Sequence, residues 1–441
     1  MTESKSISKA LLQSPRGTRD FYPNLMVRQQ WLFDLWRKVS LRHGFEEYEG
    51  PIFEHLELYQ IKSGDEIVSQ LFSFEDRGGR NLAIRPELTP TLARMVAVKA
   101  NALPRPVKWF SIPRLCRAER PQKGRLREFF QWNIDVLGSA DTLADAECIF
   151  VALDFLRQAG LGPDLIELRV NSRQIIAALL ADAGIGADRH EHMFAIMDKF
   201  EKLSGPEFDA FAREQRVSDP ELTQLKNILQ VPDLSALAAL AKSDESKTEL
   251  ARLQELHRYL DCFGVGDYFV YKPAVVRGLA YYTGIVFEIF DRSAKMRAIA
   301  GGGRYDKLIS TFGGPPLPAA GFGMGDVVLM DLLEETGKIP SLTPHQPPDF
   351  FVIDADPALF DQALSIVGRL RRMDLTADYA PKRQAVGKQI KYADNRQSRF
   401  IIILGEETKA DNRITIKNLK TGEQSQMDLN AFLDNPHHLL K

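Results

Sequence analysis

The chain has 441 residues, more than one ordinary hydrophobic core organises, so two or more domains are expected. With 44% hydrophobic and 26% charged residues, and 57 Lys and Arg nearly balancing 59 Asp and Glu, its composition is that of a globular protein. That excludes a disordered or fibrous chain and leaves any nucleic-acid surface to local clustering of charge.

Cys116, Cys148 and Cys262 form no CxxC pair and are odd in number, which argues against a disulfide framework and a zinc knuckle. The N-terminal MTESKSISKA lacks an apolar core of signal-peptide length, and no apolar run approaches the roughly 20 residues needed to cross a bilayer. A soluble, cytosolic protein with no membrane partner is expected.

In chain order, Leu32, Leu35, Trp36 and Val39 recur at helical spacing within residues 27–43, and a strand-like stretch then runs into Pro51. Residues 72–74, 82–84 and 107–112 read as further strands of an antiparallel sheet, with Asp76-Arg-Gly-Gly79 as a hairpin turn. From about residue 160 to 264 the pattern changes to amphipathic helices, among them 220–229, 234–240 and 248–263, which we read as a helical insertion. Strand signals return at 269–271, 280–290 and 298–300, before a glycine-rich stretch and a helix at about 326–335. Four prolines between Ile339 and Pro348 predict an extended linker over 337–348, closing a first domain at 1–336. Beyond it, strands at 350–353, 376–379 and 400–404 alternate with helices at 359–373 and 385–395, as in a small α/β domain over 349–441 with parallel pairing.

The chemistry concentrates in residues 110–138, FSIPRLCRAERPQKGRLREFFQWNIDVLG, where a strand enters a basic loop and a second strand leaves it. From Arg114 to Arg127 there are six Lys or Arg residues against one Glu, a density suited to triphosphate oxygens and equally found in a solvated turn. On the exit strand Gln131, Asn133 and Asp135 alternate with Trp132, Ile134 and Val136. Period two puts the three polar groups on one face, as a pocket wall or an exposed antiparallel face would have them. In Gly321-Phe-Gly-Met-Gly325, alternate glycines clear one face of a strand for a flat adenine or ribose, and the spacing is not the G-x-G-x-x-G of a Rossmann turn. Lys382, Arg383, Lys388, Lys391, Arg396 and Arg399 surround a helix of the last domain, which suits RNA phosphates or an ordinary solvated face. The eight histidines show no ligand spacing, so no structural metal is expected.

These residues also carry a family resemblance. Arg117-Ala-Glu-Arg-Pro-Gln-Lys-Gly124 followed by Gln131 resembles motif 2 of class II aminoacyl-tRNA synthetases in its histidyl form. Residues 45–51 resemble motif 1, Arg85-Pro-Glu-Leu-Thr89 the substrate loop, and Arg277-Gly-Leu-Ala-Tyr-Tyr282 and Gly301-Gly-Gly-Arg-Tyr-Asp306 the two histidyl-specific segments. Residues 321–325 resemble motif 3 and the last domain an anticodon-binding domain. The resemblance implies an α+β fold: a class II antiparallel sheet flanked by helices, with the helical insertion and a C-terminal α/β domain. It implies a homodimer that activates histidine with ATP and Mg²⁺, then acylates tRNA(His); DNA is not an implied partner.

By the same resemblance, Arg117 and Arg277 are the catalytic cations, Arg117 on the ATP α-phosphate. Glu119, Gly321, Gly323 and Gly325 complete the ATP site. Glu87, Thr89 and Gln131 hold the histidine ammonium, and Asp135 and Tyr282 grip its imidazole, with Arg277 and Tyr281 in the same pocket. The sequence departs from the family in three places. Asp135 stands where Glu is usual, Ala280 where Asp is common, and Val328 where motif 3 supplies an arginine to ATP; Arg304 is a candidate replacement. The lost arginine keeps a rival reading open, a non-catalytic regulatory subunit that senses histidine for ATP phosphoribosyltransferase. A synthetase for another amino acid is a third.

Overall fold

Trp132, Ile134 and Val136 are all buried in the main core, as alternation along residues 128–137 predicts, and the strand that carries them is central to a mixed sheet. The computed structural model describes residues 9–61, 70–276, 281–293, 296–344 and 346–440, and the chain divides into two units, the first holding Arg28–Ser341 with the segment up to Tyr22, the second Leu342–Lys441 with Pro23–Val27. The strands of the first are β1 (Glu46–Glu47), β2 (Phe53–His55), β3 (Phe72–Glu75), β4 (Asn81–Ile84), β5 (Val107–Ser111), β6 (Arg114–Cys116) and β7 (Glu128–Leu137). They continue with β8 (Ile166–Ser172), β9 (Phe269–Tyr271), β10 (Ile285–Asp291), β11 (Ala300–Arg304) and β12 (Ala319–Gly325).

Among the described residues nine strands form one sheet in the order β1-β5-β7-β12-β11-β10-β8-β9, with β6 also paired to β7. Pairing is antiparallel through the middle and parallel at both edges, β1 with β5 and β8 with β9, so the expected antiparallel sheet is in fact mixed. Strands β2, β4 and β3 form a separate three-stranded sheet instead of extending the large one.

Helix Pro23–Arg42 covers the core face through Leu32, Trp36 and Val39. The Trp36 and Trp132 rings stack 5.9 Å apart, Phe322 meets Trp132 edge-on at 5.2 Å, and the Trp132 indole N–H donates to Ser40 Oγ at 2.9 Å. An indole is buried here with its one donor satisfied, and its removal is expected to cost about 3–5 kcal/mol. Helix Thr142–Gln158 supplies Cys148, Ala152 and Phe155 to the same core.

The insertion begins later than expected. Residues 166–172 alternate Ile166, Leu168 and Val170 into the core as β8, which pairs with β10 along seven residues and belongs to the main sheet. The inserted helices therefore lie between β8 and β9, from Arg173–Asp182 to Asp244–Cys262. The long helical pattern downstream obscured a strand whose period-two signal was present.

The second unit holds β13 (Phe350–Asp354), β14 (Ala377–Tyr379), β15 (Phe400–Leu404), β16 (Arg413–Asn418) and β17 (Gln424–Asp428), ordered β14-β13-β15-β16-β17. The first three pair in parallel as expected, while β16 and β17 add an antiparallel edge that the sequence reading omitted. Phe350 and Val352 enter one apolar cluster and Phe351 and Ile353 another, so both faces of β13 are covered. Of the basic residues around helix Val386–Asn395, Arg383 pairs with Asp354, Arg396 with Asp378 and Arg399 with Asp349, while Lys382, Lys388 and Lys391 are exposed.

Candidate active site

The faces of β7 and β12 turned away from the core line a cavity of about 890 Å³. Gln131, Asn133 and Asp135 project into it from β7, and Gly321, Gly323 and Gly325 line it from β12. Strand register gives the glycines a reason. Gly321 lies opposite Asp135 and Gly323 opposite Asn133; a β-carbon at Gly321 would sit 2.3 Å from Asp135 Oδ1, and one at Gly323 2.7 Å from Gln131 Cδ. The missing side chains make room for the neighbouring strand's polar groups.

Two buried carboxylates of the cavity wall each accept from a tyrosine. The Tyr305 hydroxyl donates to Asp135 Oδ1, and the Tyr281 hydroxyl donates to Glu87 Oε2 at 3.0 Å. Burial pushes the Asp135 pKa up to about 7, with the Tyr305 hydrogen bond pulling the other way. Burial likewise holds both tyrosine hydroxyls well above their usual range. Glu87 leads into Thr89, the first residue of helix Thr89–Lys99. Its loop is fixed by buried Arg85, which donates to Glu49 Oε1 at 2.6 Å, the Gly50 carbonyl at 2.9 Å and the Arg114 carbonyl at 3.0 Å. Thr89, Gln131 and Tyr282 line the same cavity. Tyr305, and not only the expected Tyr282, is thus a companion of Asp135. The signal was present, because Tyr305 falls inside the segment 301–306 already singled out.

Arg117 donates Nε to the Pro86 carbonyl at 3.0 Å, and its guanidinium carbon lies 5.1 Å from the centroid of the Phe129 ring. Glu119 pairs with Arg125 within the basic loop and does not line the cavity, while Arg125 does. Helix Asp326–Glu335 starts at a buried carboxylate that accepts from the Phe130 amide at 2.9 Å and pairs with Arg19 at 2.7 Å. Val327 and Val328, on its first turn, line the cavity. Arg304 is not available as a substitute for the arginine missing at 328. Its Nε faces both oxygens of buried Asp145 at 3.2 and 3.1 Å, and its two terminal nitrogens donate to the Ser139 and Asp141 carbonyls at 3.0 Å each. Arg277 and Ala280 lie outside the described residues. Among the described residues no group of three or more His, Cys, Asp or Glu side chains could hold a metal ion.

A mixed, largely antiparallel sheet with helices on it, polar side chains on the cavity face of β7 and a glycine-lined β12 leading into a helix define the class II aminoacyl-tRNA synthetases. Comparison with known proteins narrows the class. The profile of the family "Histidyl-tRNA synthetase" matches residues 17–326 and that of "Anticodon binding domain" residues 349–435. A histidine–tRNA ligase of Opitutus terrae is 40% identical over 422 residues, covering 95% of this chain and 96% of its own. The chain belongs to the histidyl-tRNA synthetase family. In fold it is similar to a Nostoc histidyl-tRNA synthetase, with a TM-score of 0.77 at 23% identity over 98% of this chain and 100% of that one. It is also similar to a Bacillus halodurans protein described as an ATP phosphoribosyltransferase regulatory subunit/histidyl-tRNA synthetase, with a TM-score of 0.73 at 22% identity over 89% and 98%.

Proposed function

We propose that this chain is a histidine–tRNA ligase, joining histidine to AMP with release of pyrophosphate and then passing the histidyl group to the 3′-terminal ribose of tRNA(His). The observation that carries this reading is the cavity that Glu87, Thr89, Gln131 and Asp135 line together. Carboxylate, hydroxyl and amide oxygens can satisfy the three donors of an ammonium, and Asp135, with Tyr282 nearby, offers an imidazole a polar partner that no apolar side chain imitates. Arg117 faces the α-phosphate and Arg277 offsets the charge that develops as the histidine carboxylate oxygen attacks phosphorus and pyrophosphate leaves. Alignment and fixed positive charge suffice for such a transfer, so no protein nucleophile is required. The nucleotide enters as its Mg²⁺ complex, an ion that binds chiefly through substrate phosphates and few protein carboxylates.

We further propose that two copies associate through the region around residues 45–51. Ile52, Phe53 and Phe74 are 49%, 48% and 44% exposed, and the Phe53 and Phe74 rings lie 6.1 Å apart, an apolar patch suited to a second copy. Cys116, Cys148 and Cys262 are free thiols, which supports a reducing compartment such as the cytosol. Among the described residues no helix is long and apolar enough to cross a membrane.

The regulatory-subunit reading is favoured by one observation, Val328 in place of the motif 3 arginine. Histidine-dependent exchange of labelled pyrophosphate into ATP separates the two. Exchange with histidine and with no other amino acid is the expected result; tight histidine binding without exchange would establish the regulatory reading instead.

A further inference from the structure

If ATP occupies this cavity, its terminal phosphates need a cation that position 328 does not supply. The cavity offers several, and most are committed. Arg125 is paired with Glu119, Arg169 with Glu167 and Glu201, and Lys199 and Lys202 with Asp198. Arg117 is tied to the Pro86 carbonyl. Among the described residues Arg297 is the one cationic side chain lining the cavity that makes no hydrogen bond or ion pair, and it is exposed.

Its place in the fold is specific. Arg297 lies on the connection between β10, which ends at Asp291, and β11, which begins at Ala300. The β11–β12 ladder ends with Ala300 opposite Met324, and Ile299 still bonds back to Ile289 at 2.8 Å. Residues leading into β11 therefore lie beyond that ladder end, on the side where β12 passes through Gly325 into the helix that carries Val327 and Val328. Arg297, Val327 and Val328 line the same cavity.

We propose that Arg297 is the ATP-binding residue that takes over the missing arginine's work: its guanidinium reaches from the β10–β11 connection to the terminal phosphates of ATP, while Val328 fills the place of the original side chain with an apolar one. An uncommitted guanidinium presents paired N–H donors matched to phosphate oxygens and loses no existing partner on engaging them. The proposal rests on the reading of the cavity as an ATP site, and its test separates the two.

Pyrophosphate exchange is measured for the wild-type chain, Arg297→Ala, Arg297→Lys and the double variant Arg297→Ala with Val328→Arg, titrating ATP and histidine separately, with AMP as a competing ligand. Arg297→Ala is expected to raise the KM for ATP about tenfold or more, leave the KM for histidine and inhibition by AMP near wild type, and melt at the wild-type temperature. Arg297→Lys should recover part of the loss, and Val328→Arg should recover more of it. An unchanged ATP KM in Arg297→Ala beside an active wild type overturns the inference alone, as does an equal weakening of AMP and ATP. A wild-type chain without exchange overturns the function reading itself.

Discussion

Asp135 is a buried carboxyl group that accepts from the Tyr305 hydroxyl, and its pKa of about 7 has consequences for stability as well as binding. Because the folded chain holds this proton more tightly than the unfolded chain does, stability is greatest below the ordinary carboxylate range and falls as pH rises to about 7. Asp135→Asn removes the ionisation, so it should stabilise the ligand-free protein more at pH 8 than at pH 5, by roughly 2–3 kcal/mol, while raising the KM for histidine. Thermal melts of both forms at the two pH values check the first part; equal shifts at pH 5 and 8 would refute it. Tyr305→Phe deletes the hydrogen bond that opposes the upward shift, so it should move the pH dependence of the melting temperature further upward and weaken histidine binding.

Such a cost in stability is what a prearranged polar site carries, and little of it was visible in the primary structure. Alternation put Asp135 on one face of a strand. Its tyrosine partner stands 170 residues away, and the pair meets only because β11 and β12 lie beside β7.

At the level of elements, the end of helix Pro23–Arg42 is fastened to helix Thr142–Gln158 by a buried charged group. His43 Nε2 lies 3.1 Å from Asp154 Oδ2 and Nδ1 3.4 Å from Glu147 Oε1, while Lys108 donates to Glu147 at 2.8 Å. Burial draws the His43 pKa down, but its hydrogen bonds to the acceptor carboxylates of Glu147 and Asp154 outweigh it and the value ends raised. The charged pairing therefore contributes fully below the usual histidine range and is lost as pH rises through the raised value. His43→Gln should destabilise the chain by roughly 1–2 kcal/mol at pH 6 and much less at pH 9. Denaturant melts at the two pH values measure it, and a loss independent of pH would mean that the histidine acts through packing alone.

The elements themselves were unequally legible. The helix over 326–335 and the strands at 269–271 and 400–404 follow the apolar periodicity of their own sequences. Strand β11 did not, because its Ala-Gly-Gly-Gly-Arg carries no side-chain pattern and is held as a strand by β10 and β12 on either side.

For the whole molecule, two different chemistries are expected to depend on different units. Activation needs only the cavity of the first unit, whereas charging also needs the tRNA. In the second unit Lys388 and Lys391 are exposed, while three of the neighbouring arginines are paired with aspartates. Lys388→Ala combined with Lys391→Ala should raise the KM for tRNA in aminoacylation severalfold, more at low salt than at high, and leave pyrophosphate exchange at wild-type level. Unchanged charging kinetics would remove these lysines from the RNA surface.

The sequence by itself determined the class of fold, the family and the polar and glycine-bearing strands of the cavity wall, since period-two alternation, turn chemistry and contiguous motifs are local properties of the chain. Tertiary structure decided which carboxylate meets which tyrosine, that the insertion starts after β8, and that Arg304 is spent on Asp145 while Arg297 is left uncommitted at the cavity. Those outcomes depend on strand order and on competition between partners far apart in sequence, and neither is written into any one segment.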